Sequence, residues 1–333
     1  MAADSDMAMK ILCKNTMGAE IISESGDKIN LRIGLTQKKE ERLWEEGGLT
    51  FKHNGLKYGS CDACFYIDSG AGEKVAIMAI ELTDALNRRS SGNAQYQRFH
   101  HALGAVKNGV IGVYFLKEGE HPVRPENYAM ALHAWDEYNT PYIISQDLGE
   151  LRELLKLWNC KEKYNQRLSE IKQKMKKHYD NWKYSRDLEN FAVNRGRIIF
   201  DDNIIHITAR KTSNFTKSSQ RAGHIACGEM YLSLAIFPDK HLYYLWPRMT
   251  RAEIDELNRV KVDDKEWSLL TKNTRVTLVT RDEIRGLSHE LTERLEKIAD
   301  EPLTSGSNAM EKVWKPCLRA IQDGLRDGSL SIF

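Results

Sequence analysis

Hydrophobic positions between residues 49 and 158 fall into strand-length apolar runs separated by stretches of helical period. Residues 49–57 predict a hairpin about Asn54-Gly55, a strong turn dipeptide. Residues 62–68 alternate, with Ala63, Phe65 and Ile67 on one face and Asp62, Cys64 and Tyr66 on the other. Residues 74–83 are nearly all apolar until Glu81, the pattern of a central strand covered on both faces. A helix is expected over 94–106, a buried strand over 109–116, a helix over 128–138, a short strand over 141–145 and a helix over 148–158. Upstream, residues 36–46 predict a short helix capped by Thr36, with Leu43 and Trp44 as its apolar contacts. Residues 1–30 are weakly patterned. The alternation of strand and helix predicts an α/β fold with a mixed central sheet flanked by helices.

The second half reads differently. Residues 161–182 predict a long, very polar helix, and 197–207 a hairpin around Asp201-Asp202-Asn203. Strands are expected over 229–237, 241–246 and 275–280. Helices are expected over 250–257, with a Thr250/Glu253 capping box, and over 282–298 and 308–325. This divides the chain into 1–158, an α/β core, and 159–333, an α+β region.

The length of 333 residues agrees with two domains, and 41% hydrophobic with 29% charged residues is ordinary for a globular protein. No apolar run approaches a membrane span. The first ten residues lack the basic start and apolar stretch of a secretory signal, so a cytoplasmic protein is expected. Six cysteines are too sparse for a disulfide framework. Cys61 and Cys64 form a lone CxxC without a second ligand pair, so buried thiols are expected rather than a zinc or redox site. The net charge is only +2, but residues 160–221 carry about fifteen Lys or Arg against about seven Asp or Glu. That segment suits a phosphate-facing surface, or else a solvated helix face.

The chemistry centres on Asp62, Glu81 and Thr83. Residues two apart on a strand share a face, so Glu81 and Thr83 project together. Antiparallel pairing of 62–68 with 74–83 brings Asp62 beside Glu81. Two adjacent carboxylates repel unless a cation lies between them, and such oxygen ligands suit Mg²⁺. Glu81 is also anomalous alone, because it ends one of the most apolar stretches in the chain and needs a partner. A salt bridge to Arg88 or Arg89, or a strand end reaching solvent, is the alternative.

The order helix, hairpin bearing Asp62, strand ending in Glu81-x-Thr83, helix, strand resembles the PD-(D/E)xK nuclease superfamily, whose best-known members are type II restriction endonucleases. The resemblance covers residues 36–145. It implies a restriction-endonuclease-like core, with Asp62 and Glu81 as metal ligands, Mg²⁺ as cofactor and double-stranded DNA as substrate. Thr83 stands where the family usually carries Lys, so a variant site, a cation from Lys57, Arg88 or Arg89, or an inactive site are the three readings. Gly59-Ser60-Cys61-Asp62 lacks the motif's Pro. In many relatives a Glu from the N-terminal helix joins the site, and Glu41 and Glu45 are the candidates, with surface pairing to Lys38 or Arg42 as the plainer role.

Residues 87–93, NRRSSGN, form a short basic loop ahead of a helix start and suit phosphate, with Arg88, Arg89 and Asn93 as contacts. Tyr96, Phe99 and Leu103 fall at core spacing, which turns Gln95, Arg98 and His101 towards the site or the substrate. His100 and His101 point about 100° apart on a helix and do not chelate one ion readily. Residues 210–221 combine Arg210, Lys211, Asn214, Lys217, Gln220 and Arg221, side chains that read base edges, with Ser and Thr that bind phosphate. A flexible loop is the plain alternative. The aromatic run 243–246 reads as strand rather than stacking platform.

The expectation is therefore a Mg²⁺-dependent, site-specific endonuclease of a restriction system, and a palindromic target implies a homodimer. The rivals are a repair or recombination nuclease of the same fold, a DNA-binding protein that has lost catalysis, and a metabolic α/β enzyme. The last is disfavoured by the lack of GxGxxG or GxxxxGK[ST].

Overall fold

The structure, a computed structural model, describes residues 19–25, 28–33, 42–46, 49–53, 56–68, 74–87, 95, 98–184, 197–200, 202–207, 230, 233–234, 237, 239–246, 250–252, 275–280 and 283. These residues are mixed α/β, and the chain divides into two compact units, 1–180 and 181–333. Among the described residues, no helix is long and apolar enough to cross a membrane.

The first unit holds strands β1 (Ala19–Ser25), β2 (Lys28–Ile33), β3 (Arg42–Glu46), β4 (Thr50–His53), β5 (Leu56–Ser60), β6 (Ala63–Asp68) and β7 (Lys74–Thr83). A 3-10 turn, Ala85–Asn87, follows. Then come α1 (Phe99–Lys107), β8 (Ile111–Leu116), α2 (Pro125–Tyr138), β9 (Tyr142–Ser145) and α3 (Leu148–Lys156), and α4 (Lys161–Tyr184) begins in this unit and ends past its limit at Asp180. Seven strands form one mixed sheet in the order β1-β2-β3-β6-β7-β8-β9. Neighbours from β1 to β7 are antiparallel, whereas β7, β8 and β9 run parallel. β4 and β5 pair separately, with His53 opposite Leu56 on either side of Asn54-Gly55.

The helix expected over 36–46 is strand over Arg42–Glu46, paired to both β2 and β6, because sheet partners on two sides override a charge-rich helical pattern. β1 and β2 form a hairpin over residues 19–33, where the sequence is weakly patterned. The helix Leu148–Lys156 begins where expected, capped by Asp147, whose carboxylate accepts from the Gly149 N–H at 2.8 Å.

The core is the parallel end of the sheet. All six residues of β8 and all four of β9 are buried, as are the last seven of β7. α1 is clamped between β8 and the β4–β5 hairpin. A Cβ on Gly112 of β8 would lie 2.3 Å from the Ala102 carbonyl oxygen, and one on Gly104 would lie 2.4 Å from Tyr58 Cβ. Glycine on both sides is what permits this approach.

α4 packs on the first unit, which ends at Asp180. Ile171 and Met175 are buried, and the His178 ring stacks on Tyr128 at 4.8 Å. Lys172 pairs with Asp136 at 2.6 Å, and Lys174 with Glu150 at 3.3 Å.

The second unit contains β10 (Arg197–Phe200), β11 (Asn203–Ile207), β12 (His241–Trp246) and β13 (Val276–Thr280), in that order in one sheet. β10 and β11 are the antiparallel hairpin expected, and β11, β12 and β13 are parallel. The strand expected over 229–237 is corrected: Met230, Ser233 and Leu234 are helical, and Phe237 N–H donates to the Ser233 carbonyl at 3.0 Å. A helix before a parallel strand removes the need for a hairpin there. Arg251 and Ala252 are helical, while 253–257, 284–298 and 308–325 lie outside the described residues.

Arg251 ties the end of β13 to the residues after it. It grips Glu283 through Nε at 2.8 Å and Nη2 at 2.6 Å, and Nη2 also donates to the Leu278 carbonyl. The hydrogen bonds from Arg251 hold the Glu283 carboxyl below the usual carboxylate range. A folded-state pKa below the unfolded one gives stability that is present above the unfolded value and lost as pH falls through the folded value. Arg251→Ala is expected to destabilise the protein by about 1 kcal/mol near neutral pH, the pair being part-exposed. Denaturant titrations should show that difference shrinking towards about pH 3; an equal difference at both pH values would mean the carboxylate is not responsible.

Candidate functional site

The site lies where β6 begins and β7 ends. The last paired residues of that hairpin end are Ala63 and Ile80, so Asp62 and Glu81 are each the next residue beyond the same pair. Asp62 is a bend rather than the first strand residue expected. Its Oδ2 accepts the Leu82 N–H at 2.8 Å, replacing a strand carbonyl at the end of the ladder. Both carboxylates lie within electrostatic reach of Cys61. Burial, then Cys64, Glu81 and Asp62, push the Cys61 thiol well above its usual range. Cys61 and Cys64 are buried and neither is in a disulfide.

Glu81 is 1% exposed and sits in a run of buried apolar residues. Such a charge must be compensated, and α1 supplies the compensation. Arg98 Nη1 donates to Oε1 at 3.3 Å, and His101 Nδ1 lies 2.9 Å from Oε2. These partners differ from the Arg88 or Arg89 named by the sequence alternative. Arg98 and His101 were both expected on the site-facing side of the helix.

The placement of His101 depends on Gly59 of β5. Gly59 has φ +102°, and a Cβ there would fall 2.5 Å from the His101 ring. The imidazole therefore lies directly on the β5 backbone. An isolated Gly inside a strand pattern signals such a close approach and could have marked this position. Tyr142 completes the floor beneath α1: its hydroxyl donates to the Phe99 carbonyl at 2.7 Å and its ring stacks on Phe99. Burial, with Tyr114, Cys61 and Glu81 nearby, raises the Tyr142 hydroxyl well above its usual range.

Thr83 is buried on β7 two residues beyond Glu81. Its Oγ1 accepts from the Ala85 N–H at 3.3 Å, closing the turn that follows β7. The connection after β8 is stitched to that turn: Lys117 N–H donates to the Thr83 carbonyl at 2.9 Å and His121 N–H to the Leu86 carbonyl at 3.1 Å. The chain segments leaving two parallel strands thus lie together at the Glu81 end.

Gln95 is corrected as a DNA-reading residue. It is 1% exposed, its Oε1 accepts from Arg124 N–H and Asn127 Nδ2 at 2.8 Å each, and its Nε2 donates to the Pro122 carbonyl. It fastens the start of α2 to the segment before α1. Arg88, Arg89 and Asn93, the stretch Arg210, Lys211, Asn214, Lys217, Gln220 and Arg221, and Glu41 lie outside the described residues. Glu45, expected on a helix, stands on β3 opposite Cys64.

Among the described residues, no cluster of three or more His, Cys, Asp or Glu side chains is arranged to hold a metal ion. Asp62 and Glu81 are the two carboxylates that could hold Mg²⁺, an ion commonly bound by one or two carboxylates with water and substrate phosphate completing its shell. No protein-family model, curated protein or solved structure matches the chain.

Proposed function

We propose that the protein is a Mg²⁺-dependent endonuclease that hydrolyses phosphodiester bonds of double-stranded DNA at a specific site, on a restriction-endonuclease-like core. The observation that carries this reading is the pair Asp62 and Glu81, set beyond the same strand pair, with one of the two carboxylates buried among apolar side chains. The order that follows Glu81, helix α1 and then parallel strand β8, agrees with the resemblance to PD-(D/E)xK nucleases. Mg²⁺, when bound, supplies a Lewis acid for the scissile phosphate and lowers the pKa of a coordinated water.

The residues of the chain do the rest. Asp62, fixed by the Leu82 N–H, and Glu81 hold the ion. His101, seated on Gly59, orients the Glu81 carboxylate. Thr83 keeps the turn after β7 closed, which holds the strand end rigid. The basic stretch 210–221 carries side-chain types that contact bases and phosphates, and Arg88, Arg89 and Asn93 carry types that contact the DNA backbone. A palindromic target would be met by a homodimer.

Incubation of supercoiled plasmid DNA with the protein tests the reading. Discrete fragments are expected with Mg²⁺ and none with chelator. A smear or end-resection would favour the repair-type nuclease, and binding without cutting would favour the inactive binder.

A further inference from the structure

Glu81 has two partners that are not equivalent. The His101 ring is trapped against the Gly59 backbone, where not even a Cβ would fit. Arg98 reaches Glu81 with the far end of a long side chain, at 3.3 Å against 2.9 Å for His101, and is 35% exposed. It stands at the N-cap of α1, where its side chain makes no capping bond. Of the two, Arg98 is the longer and more exposed side chain and makes the longer contact.

Thr83, at the position where the family resemblance calls for a cation, brings no charge, and its hydroxyl serves the turn after β7. Among the described residues, the Arg98 guanidinium lies 3.3 Å from Glu81 Oε1. A guanidinium presents a planar fork of donors matched to phosphate oxygens, so it suits a second role at the substrate.

We propose that Arg98 is a substrate-binding residue that alternates between two partners: it neutralises Glu81 while no ion is bound, and turns to the scissile phosphate when a divalent ion takes Glu81. The proposal rests on the ion site proposed above. A divalent ion and a guanidinium repel each other at one carboxylate, so binding of the ion weakens the Arg98–Glu81 contact. The released guanidinium stays within the length of its own side chain of the strand end. There it meets the negative charge that develops on the phosphate, the contribution that Thr83 cannot make.

The test is calorimetric titration of the DNA-free protein with Mn²⁺. Arg98→Gln is expected to bind the ion about fivefold more tightly than wild type, because a part-exposed competitor has been removed. At saturating ion its cleavage rate should fall by about a hundredfold, and Arg98→Lys should recover part of that loss. Asp62→Asn and Glu81→Gln should each abolish tight binding. Unchanged Mn²⁺ affinity in Arg98→Gln, with binding lost in the two carboxylate variants, overturns the proposal and leaves the ion site standing. Unchanged binding in both carboxylate variants overturns the ion site itself, and the proposal with it. A measurement on wild type avoids reliance on variants: the Arg98 Nε–H resonance should shift when Mg²⁺ is added without DNA. A fixed resonance with the ion bound overturns the proposal.

Discussion

Asp62→Asn and Glu81→Ala should each slow Mg²⁺-dependent cleavage by about a thousandfold, equivalent to ~4 kcal/mol of transition-state stabilisation. The two acids differ in what else they do, and that difference makes the experiment informative. Asp62 also caps the β6–β7 ladder through the Leu82 N–H. Asn at this position keeps an acceptor oxygen and loses the charge, so it should lose cleavage while keeping stability. Asp62→Ala loses both, with a stability cost of about 1 kcal/mol for the missing bond. Glu81→Ala leaves Arg98 and His101 without their carboxylate, yet both are part-exposed and can be solvated, at 35% and 22%. The protein should therefore still fold, which a thermal melt beside the cleavage assay checks. Full activity in Asp62→Asn would remove that residue from the site.

The largest structural effect is expected at Gly112. A methyl group there would press on the Ala102 carbonyl at 2.3 Å and on the Val106 side chain at 2.8 Å. Neither the helix backbone nor the central strand can yield locally, since β8 is hydrogen-bonded on both sides and buried throughout. Gly112→Ala should therefore destabilise the first unit by about 1–3 kcal/mol. It should also impair cleavage, because α1 carries His101 and is preceded directly by Arg98. Gly109→Ala is the control. Gly109 follows the Asn108 C-cap of α1 at φ +73°, with nothing within 4 Å of a new Cβ, so its cost is backbone strain alone, about 1 kcal/mol. Denaturant titration of the two variants measures this difference. Equal destabilisation would mean that α1 is not held tightly on β8.

Much of this core was legible before any coordinates. Strand β7 begins and ends where its apolar run does, and α2, α3 and α4 match their periodic stretches within a few residues. These elements are long, strongly patterned and buried on a defined face, so local pattern and tertiary environment agree. The Arg42–Glu46 strand shows the opposite case. Its preceding charge run and Leu43-Trp44 pair look helical, and only pairing with β2 and β6 makes it a strand. The segment around Met230–Phe237 failed in the other direction, its apolar run being too short to separate strand from helix by period.

The site was half legible. Glu81 stood out as a charge inside an apolar strand, and Asp62 followed from hairpin geometry. The partners of Glu81 were harder to see, because they depend on how closely α1 docks. That distance is set by Gly59, Gly104 and Gly112, which meet residues far along the chain; only Gly59, isolated in a strand, carries a local hint of it. Gln95 was misread for a related reason: its amide answers the start of α2, a partner about thirty residues away that no local pattern announces.

The central claim is that Asp62 and Glu81 together hold a divalent ion. Crystals soaked in Mn²⁺ and measured at the manganese absorption edge test it most directly. The account predicts an anomalous peak in coordination contact with an oxygen of each carboxylate. A peak bound elsewhere, or saturating Mn²⁺ with the Arg98–Glu81–His101 contacts intact and no peak beside them, would contradict it.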